Sequence, residues 1–513
     1  MGNVLRRRRA TAALAAGCLA AALLIAVSTP PAVADGAAHP VRTRAVTLGQ
    51  LTTYDYNNAR SGLDSTDPSF AHLVHAWTDG SSVISGGIYG QPLVYGDLVI
   101  VATESDDIYA LDAATGKVAW HFSIGTPARV SVIDTAPTLS PSCGDIDPLG
   151  ITGTPVIDPK TSEVFVAGEV QTVHTSDWQG IKHVMVGARF SATSATVLWD
   201  HQIDPPGADS TYYIPAEQQR PALTLSQGRV YAEFGGLAGD CGDYQGYVVS
   251  EPESGVKSLE SFKVPTTREG AIWATGGAAT SASGELYVAT GNAAHGPGKP
   301  FDYGDAVVGL SPSLKIDSYW APSDWAQRSA ADLDLGSAGP IFVDGGSLVF
   351  EIGKGSSSGV SMGYLLDAAK LGGIGHSAFA RTVCPNDGFV FGADATDVVK
   401  VAGKSATYVF VPCPRGTVAI QVNGGSKPNF AVKWHASSGD PNGPPIVAGG
   451  LVWALCTNAD GGSGSPVLYG MSPTTGKVEV TESVPAVEHF ATPGAGDGMI
   501  IVSTASGVEA FKP

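Results

Sequence analysis

Four side chains in this 513-residue chain are suited to holding a small organic ligand: Arg220, Trp273, Asp305 and Lys354. Arg and Lys grip carboxylates through charge-assisted hydrogen bonds, and an indole offers a flat face for stacking. Each has a plain structural use as well, since Trp273 can fill the space between neighbouring sheets and Arg220 can satisfy buried carbonyls. Asp240, Asp243, Asp302 and Asp305 carry oxygens of the kind a hard cation such as calcium needs, roughly six to eight per ion; Asp beside Gly equally marks turns. Other strings fail their chemistry. His72-x-x-His75 lacks the Glu and the helix of a zinc protease site, and residues three apart on a strand face opposite ways. Gly355-Ser356-Ser357-Ser358-Gly359 matches a nucleophile-elbow string without the strand-to-helix setting that would expose its Ser. Gly403-Lys404-Ser405 lacks the Gly five places earlier that a phosphate loop requires, because Val398 stands there.

The elements that must position such residues are repeats. Tyr109-Ala-Leu-Asp112-Ala-Ala-Thr115-Gly116-Lys117-Val118 returns as Tyr469-Gly-Met-Ser472-Pro-Thr-Thr475-Gly476-Lys477-Val478. Each copy spells strand, turn, strand, with Thr-Gly closing a short hairpin where only Gly is free of a Cβ clash. Weaker copies end in Trp199, Trp320 and Trp434, as the first ends in Trp120. Before each hairpin comes a lead-in of small residues or Pro followed by a β run: Gln91-Pro92, Thr154-Pro155, Arg220-Pro221, Gly277-Ala278, Gly339-Pro340, Ala393-Asp394, Pro444-Pro445 and Thr492-Pro493. Eight lead-ins spaced by about 50 to 65 residues suit four-stranded propeller blades with extra loop length. The eighth unit lacks an outermost strand, and His72 to Trp77 has the form of the missing piece. The expectation is an all-β, eight-bladed propeller of four-stranded blades closed by an N-terminal strand, which removes open sheet edges.

Composition agrees. Charged residues make up 15% of the chain and 43% is apolar in short runs, while 65 Gly point to many tight turns. Arg6 to Arg9, the apolar stretch Ala10 to Val27 and Ala32-Val33-Ala34 form a signal-peptide pattern, so residues 1–34 are expected to be removed on export, with an uncleaved anchor as the alternative. No later stretch is long enough to span a membrane. Residues 35–50 are expected to be a flexible lead and residues 51–513 the propeller. Loss of four Arg takes the formal charge from −18 to −22, a sign that repels nucleic acid and anionic lipid. Of the five cysteines left, Cys143 and Cys241 lie in Gly/Asp loops and Cys384 and Cys413 bracket a strand segment, so these are paired and Cys456 is left in a buried strand.

The turn Asp112-x-x-Thr115-Gly116-x-x-x-Trp120 resembles the PQQ-like, quinoprotein-type β-propeller repeat. Gly150 to Asp158, Gln219-Arg220-Pro221, Gly270 to Gly277, Asp302 to Asp305 and Asp334 to Pro340 are similar to segments of a secreted bacterial subgroup of such proteins, and the resemblance covers about Leu51 to Pro513. It implies a ligand site at the central channel, where Arg220, Trp273, Asp305 and Lys354 would face PQQ, a planar tricarboxylate, with calcium beside it. Two departures weigh against that chemistry: no two cysteines are adjacent, as in many alcohol-oxidising relatives, and no Cys-x-x-Cys-His haem site exists. Other relatives bind no cofactor and act as scaffolds. The expectation is therefore a secreted or envelope-located monomer that binds a small molecule or a partner protein at its central face, with a PQQ-dependent alcohol or sugar dehydrogenase as the alternative.

Overall fold

In the computed structural model, the described residues are 49–513 except 81–82, 138, 140–142, 173–177, 207–213, 356–359, 386–388, 437–442 and 457–465. The leader, most of the lead that follows it, the Ser-rich centre of the 355–359 string and residues 461–465, whose Gly/Ser sequence reads as a loop, lie outside them. Eight sheets carry the fold, each with four antiparallel strands; seven take these in sequence order, and the fourth adds the short parallel edge strand Gly373–Ile374. Blade 1 comprises Leu93–Tyr95, Leu98–Ala102, Asp107–Asp112 and Val118–Ser123, and blades 2 to 7 open with Val156–Asp158, Thr224–Ser226, Ala279–Thr280, Ile341–Val343, Ala395–Val401 and Ile446–Ala448. Blade 8 has Gly494–Gly496, Met499–Thr504 and Gly507–Lys512, and its outermost strand is Val74–Gly80 from the other end of the chain, paired so that Trp77 lies opposite Ala510. The N-terminal strand closes the ring, as the short eighth unit required.

The repeated Thr-Gly turn has two physical reasons. Asp112 accepts hydrogen bonds from the Thr115 amide at 2.9 Å and its hydroxyl at 2.7 Å, while Gly116 takes φ +74°. A Cβ on Gly116 would come within 2.5 Å of the Trp77 indole, so the preceding blade's Trp seats on the bare glycine and donates its Nε1 to Ala113 O at 2.9 Å. Trp434 repeats the arrangement on Gly476, donating to Pro473 O. Trp120 donates to Ser191 O of blade 2 and Trp199 to Glu253 O of blade 3. Trp77, Trp120, Trp199 and Trp434 therefore each join one blade to the next with the one polar atom of the indole satisfied, whereas the buried Nε1 of Trp320 has no such bond.

Two disulfides lock loops to this ring. Cys143–Cys241 ties the connection between blades 1 and 2 to a loop of blade 3, and Cys384–Cys413 ties blade 5 to blade 6. Cys456 is buried and belongs to neither. Among the described residues no helix is long and apolar enough to cross a membrane.

The centre of the ring is filled from one end by residues 51–64. Leu51 exchanges two main-chain hydrogen bonds with Val94 of blade 1, and the carbonyls of Thr52, Asn58, Ala59, Ser61 and Gly62 accept from the amides of Ile157, Thr280, Phe342, Thr396 and Val447 in blades 2, 4, 5, 6 and 7. Asn58 Nδ2 donates to Leu225 O of blade 3, and Tyr56 Oη bonds the main chain of Ala495 in blade 8. All eight blades thus bond one segment. Its bends need Asp55, Tyr56 and Arg60 at positive φ, a strain that the surrounding bonds hold in place. Arg60 is buried and donates to the carbonyls of Tyr54 and Ala278 and to the hydroxyls of Thr53 and Thr224, beside Glu233 and Asp55.

Candidate binding face

The opposite end of the channel is shaped by the loops that lead into the innermost strands. Along blade 4 the chain runs Trp273, Thr275, Thr280, and along blade 8 it runs Phe490, Thr492, Ala495, so the loop residues stand farthest from the plug. Between the two ends Tyr54 rises from the plug, its hydroxyl 3.3 Å from Thr275 Oγ1 and 2.8 Å from Thr492 Oγ1. Blades 4 and 8 face each other across an eight-membered ring, so these contacts cross the axis.

Above Tyr54 three rings meet. Trp273 of blade 4, Phe391 leading into blade 6 and Phe490 leading into blade 8 have centroids 6.0, 6.3 and 5.2 Å apart. Phe389 stands 6.2 Å from Phe391 and is 45% exposed. Trp273, Phe391 and Phe490 are half-buried, as is Tyr89 nearby. Each cation named from sequence lies beside this cluster but is already engaged. Arg220, leading into blade 3, lies 5.6 Å from the Phe490 ring centroid and 3.7 Å from Asp145. Lys354 lies 5.5 Å from the Phe389 centroid, 2.9 Å from Asp332 and 3.5 Å from Asp334. Burial works against the charge on Lys354, yet Asp334 and Asp332 hold its pKa above the ordinary lysine range.

Asp334 in turn accepts from the Asn292 amide at 2.7 Å, and burial raises its pKa to about 6 against the pull of Lys354. Asp305 stands apart from the mouth. It is fully buried, accepts from the Ser329 hydroxyl at 2.7 Å and the Leu335 amide at 2.8 Å, and burial with nearby Asp334 lifts its pKa to about 8. The structure thus gathers Arg220, Trp273 and Lys354 around one aromatic cluster and gives Asp305 a loop to hold. Sequence reasoning missed Tyr89, Phe391 and Phe490. The signal for them was positional, since each stands three residues before Pro92, Asp394 or Pro493, the same place in three lead-ins.

The cavity that the described residues form beneath the cluster does not admit a quinone. The cavity bounded by Tyr54, Tyr89, Thr152, Thr154, Arg220, Thr275 and His489 measures about 10 Å³, room for one water, whereas ligand pockets run to roughly 300 Å³ or more. Among the described residues no three of His, Cys, Asp and Glu are grouped to hold a metal ion. A hollow of about 410 Å³ lies beside the plug around Ala59, Asp344 and Val398, and one of about 810 Å³ lies between Asp344, Asp367 and Lys427; neither is lined by a ring of the aromatic cluster.

The family model PQQ_2, described as outer membrane protein assembly factor BamB, matches residues 74–293. Among solved structures the chain is similar to a quinohemoprotein alcohol dehydrogenase from Comamonas testosteroni, with 14% identity over 90% of this chain and 80% of that one at a TM-score of 0.60. A europium-containing methanol dehydrogenase shares 15% identity over 90% of both chains at 0.58. BamB from Moraxella catarrhalis shares 12% identity over 86% of this chain and 100% of that one at 0.50. No curated protein resembles the chain closely enough in sequence to count as a relative. With its repeated Thr-Gly turns, its Trp-joined blades and its N-terminal closing strand, the chain is an all-β, eight-bladed propeller, and over residues 74–293 it is similar to the PQQ-like repeat family.

Proposed function

We propose that this propeller works outside the cytoplasm as a binding protein, exported by residues 1–34, and that its ligand docks on the central face around Trp273, Phe391 and Phe490. One observation carries the reading: half-buried rings from three non-adjacent blades converge at the axis over a channel that is otherwise filled. A fold needs no exposed rings at its axis for stability, whereas aromatic residues with an Arg beside them are the usual anchors of a docking surface. The two disulfides suit an oxidising compartment. Arg220, Trp273 and Lys354 belong to this surface, and Asp305 supports it from beneath through Leu335.

A dehydrogenase reading draws on the likeness to the two alcohol-oxidising structures, which at 14 and 15% identity is a likeness of fold alone. The test is a titration of the purified protein with PQQ, with and without calcium, followed by calorimetry and by the quinone's absorbance. No saturable binding is expected. Micromolar or tighter binding that Arg220→Ala weakens would overturn the reading in favour of a quinone enzyme.

A further inference from the structure

The charges around the aromatic cluster specify its partner. A surface built to receive an anion leaves cations free, but here Arg220 and Lys354 are each sandwiched between a ring and a carboxylate: Phe490, Arg220, Asp145 on one side and Phe389, Lys354, Asp332 on the other. The cations are the buried members, with side chains 9% and 13% exposed, and the carboxylates are the outer ones, with 44% of Asp145 and 60% of Asp332 open to water. Half-buried Glu488 stands beside Gly87 and Tyr89 and adds a third acidic group. Arg268, a further cation of the adjoining network, is held by Glu269 at 2.6 Å and by the Asp240 carbonyl at 2.6 Å. What the face offers outward is therefore ring surface and carboxylate oxygen, the pairing that attracts a desolvated cation.

We propose that this face is a docking site for a basic segment of a partner protein, whose Lys or Arg side chains lie against Phe389, Phe391 and Trp273 and pair with Asp145, Asp332 and Glu488. The proposal rests on the central face being the binding surface and adds the charge of what binds there. The formal charge of −18 over the whole chain favours encounter with a basic partner and sets no register by itself. Register comes from the rings, which occupy the centre of the face while the carboxylates flank them.

The experiment measures binding of labelled hexa-arginine and hexa-glutamate peptides to the intact protein by fluorescence anisotropy at low and physiological salt. Variants are Asp145→Asn with Asp332→Asn, Phe389→Ala at an exposed position, and Asp317→Asn with Glu479→Gln as a neutralisation control on exposed outer-strand residues. Hexa-arginine affinity is expected to fall about tenfold in the first variant and about threefold in Phe389→Ala, with little change in the control. Equal losses in the control and the central variants would show attraction by net charge alone and overturn the proposal. Absence of saturable hexa-arginine binding also overturns it. If hexa-glutamate then binds and Phe389→Ala abolishes that binding, the central-face reading survives without the proposal. If neither peptide responds to Phe389→Ala, both fall.

Discussion

The two ends of the channel are closed by different means. At the plug end, main-chain amides two residues beyond the lead-in Pro or its equivalent, among them Ile157, Phe342, Thr396 and Val447, donate to carbonyls of residues 52–62. Such bonds fix both partners and leave little room for adjustment, because an amide left unpaired in that interior costs about 1–3 kcal/mol. At the mouth the closure is made by rings, whose attraction is less strictly directional than a hydrogen bond and tolerates several tilts. One end is suited to holding the ring together and the other to meeting something from outside.

The largest test of this contrast is Arg60→Ala. It strips donors from five acceptors, the Leu223 carbonyl among them, and leaves Glu233 and Asp55 without their neighbouring cation. A loss of about 3–5 kcal/mol is expected, read from a denaturant midpoint. A smaller loss than that of Phe490→Ala would reverse the comparison.

Next in size is pH. Burial raises the carboxyl pKa of Glu233 near the plug to about 7 and of Asp334 near the mouth to about 6, and elsewhere lifts Glu104 to about 7 and Glu217 to about 8. A carboxyl with its folded pKa above its unfolded one binds more protons in the folded state, so its contribution is full below the unfolded value and is lost as pH rises through the folded one. Melting temperature is therefore expected to fall from pH 5 to pH 9, with the Asp334 step preceding the Glu233 step. Asp334→Asn and Glu233→Gln should each flatten their own part of the curve. A melt that rises over that range would contradict the burial of these groups.

Tyr54→Phe probes the join between the ends. It removes the hydroxyl shared by Thr275 and Thr492 and is expected to cost about 1–3 kcal/mol while leaving peptide binding at the mouth unchanged. The smallest effect on stability belongs to Phe490→Ala, about 1 kcal/mol because the ring is only half-buried. Its expected signature is loss of docking with a nearly unchanged melt.

The sequence made the ring legible because its signals are local and repeated. Thr115-Gly116 and Thr475-Gly476 each need a left-handed residue and a bare seat for Trp, and that pair of demands marks the same place in the first and seventh blades. The short eighth unit and the strand that carries Trp77 were readable for the same reason, although the strand runs on to Gly80 beyond the His72 to Trp77 stretch. The plug was not legible, since residues 51–64 follow the spacing of eight different strands and have no period of their own. The mouth was legible in part. Trp273 and Arg220 stood out by type, whereas Phe391 and Phe490 resemble ordinary core residues until their lead-ins are set side by side. That the two cations are already paired depends on Asp145 and Asp332, 75 and 22 residues away along the chain, a distance over which sequence carries no charge pairing.

The plug also has a bearing on the order of assembly. Residues 51–64 leave the ribosome before any blade, yet their partners are spread from Val94 to Ala495. The segment made first is the last to be completed. Its carbonyls and the Arg60 guanidinium reach their full set of partners only when blade 8 has formed and Val74–Gly80 has closed the circle. A chain truncated by even one blade would keep several blades' worth of sheet but strand its own hub, so the plug acts as a count of blades that registers only the complete number.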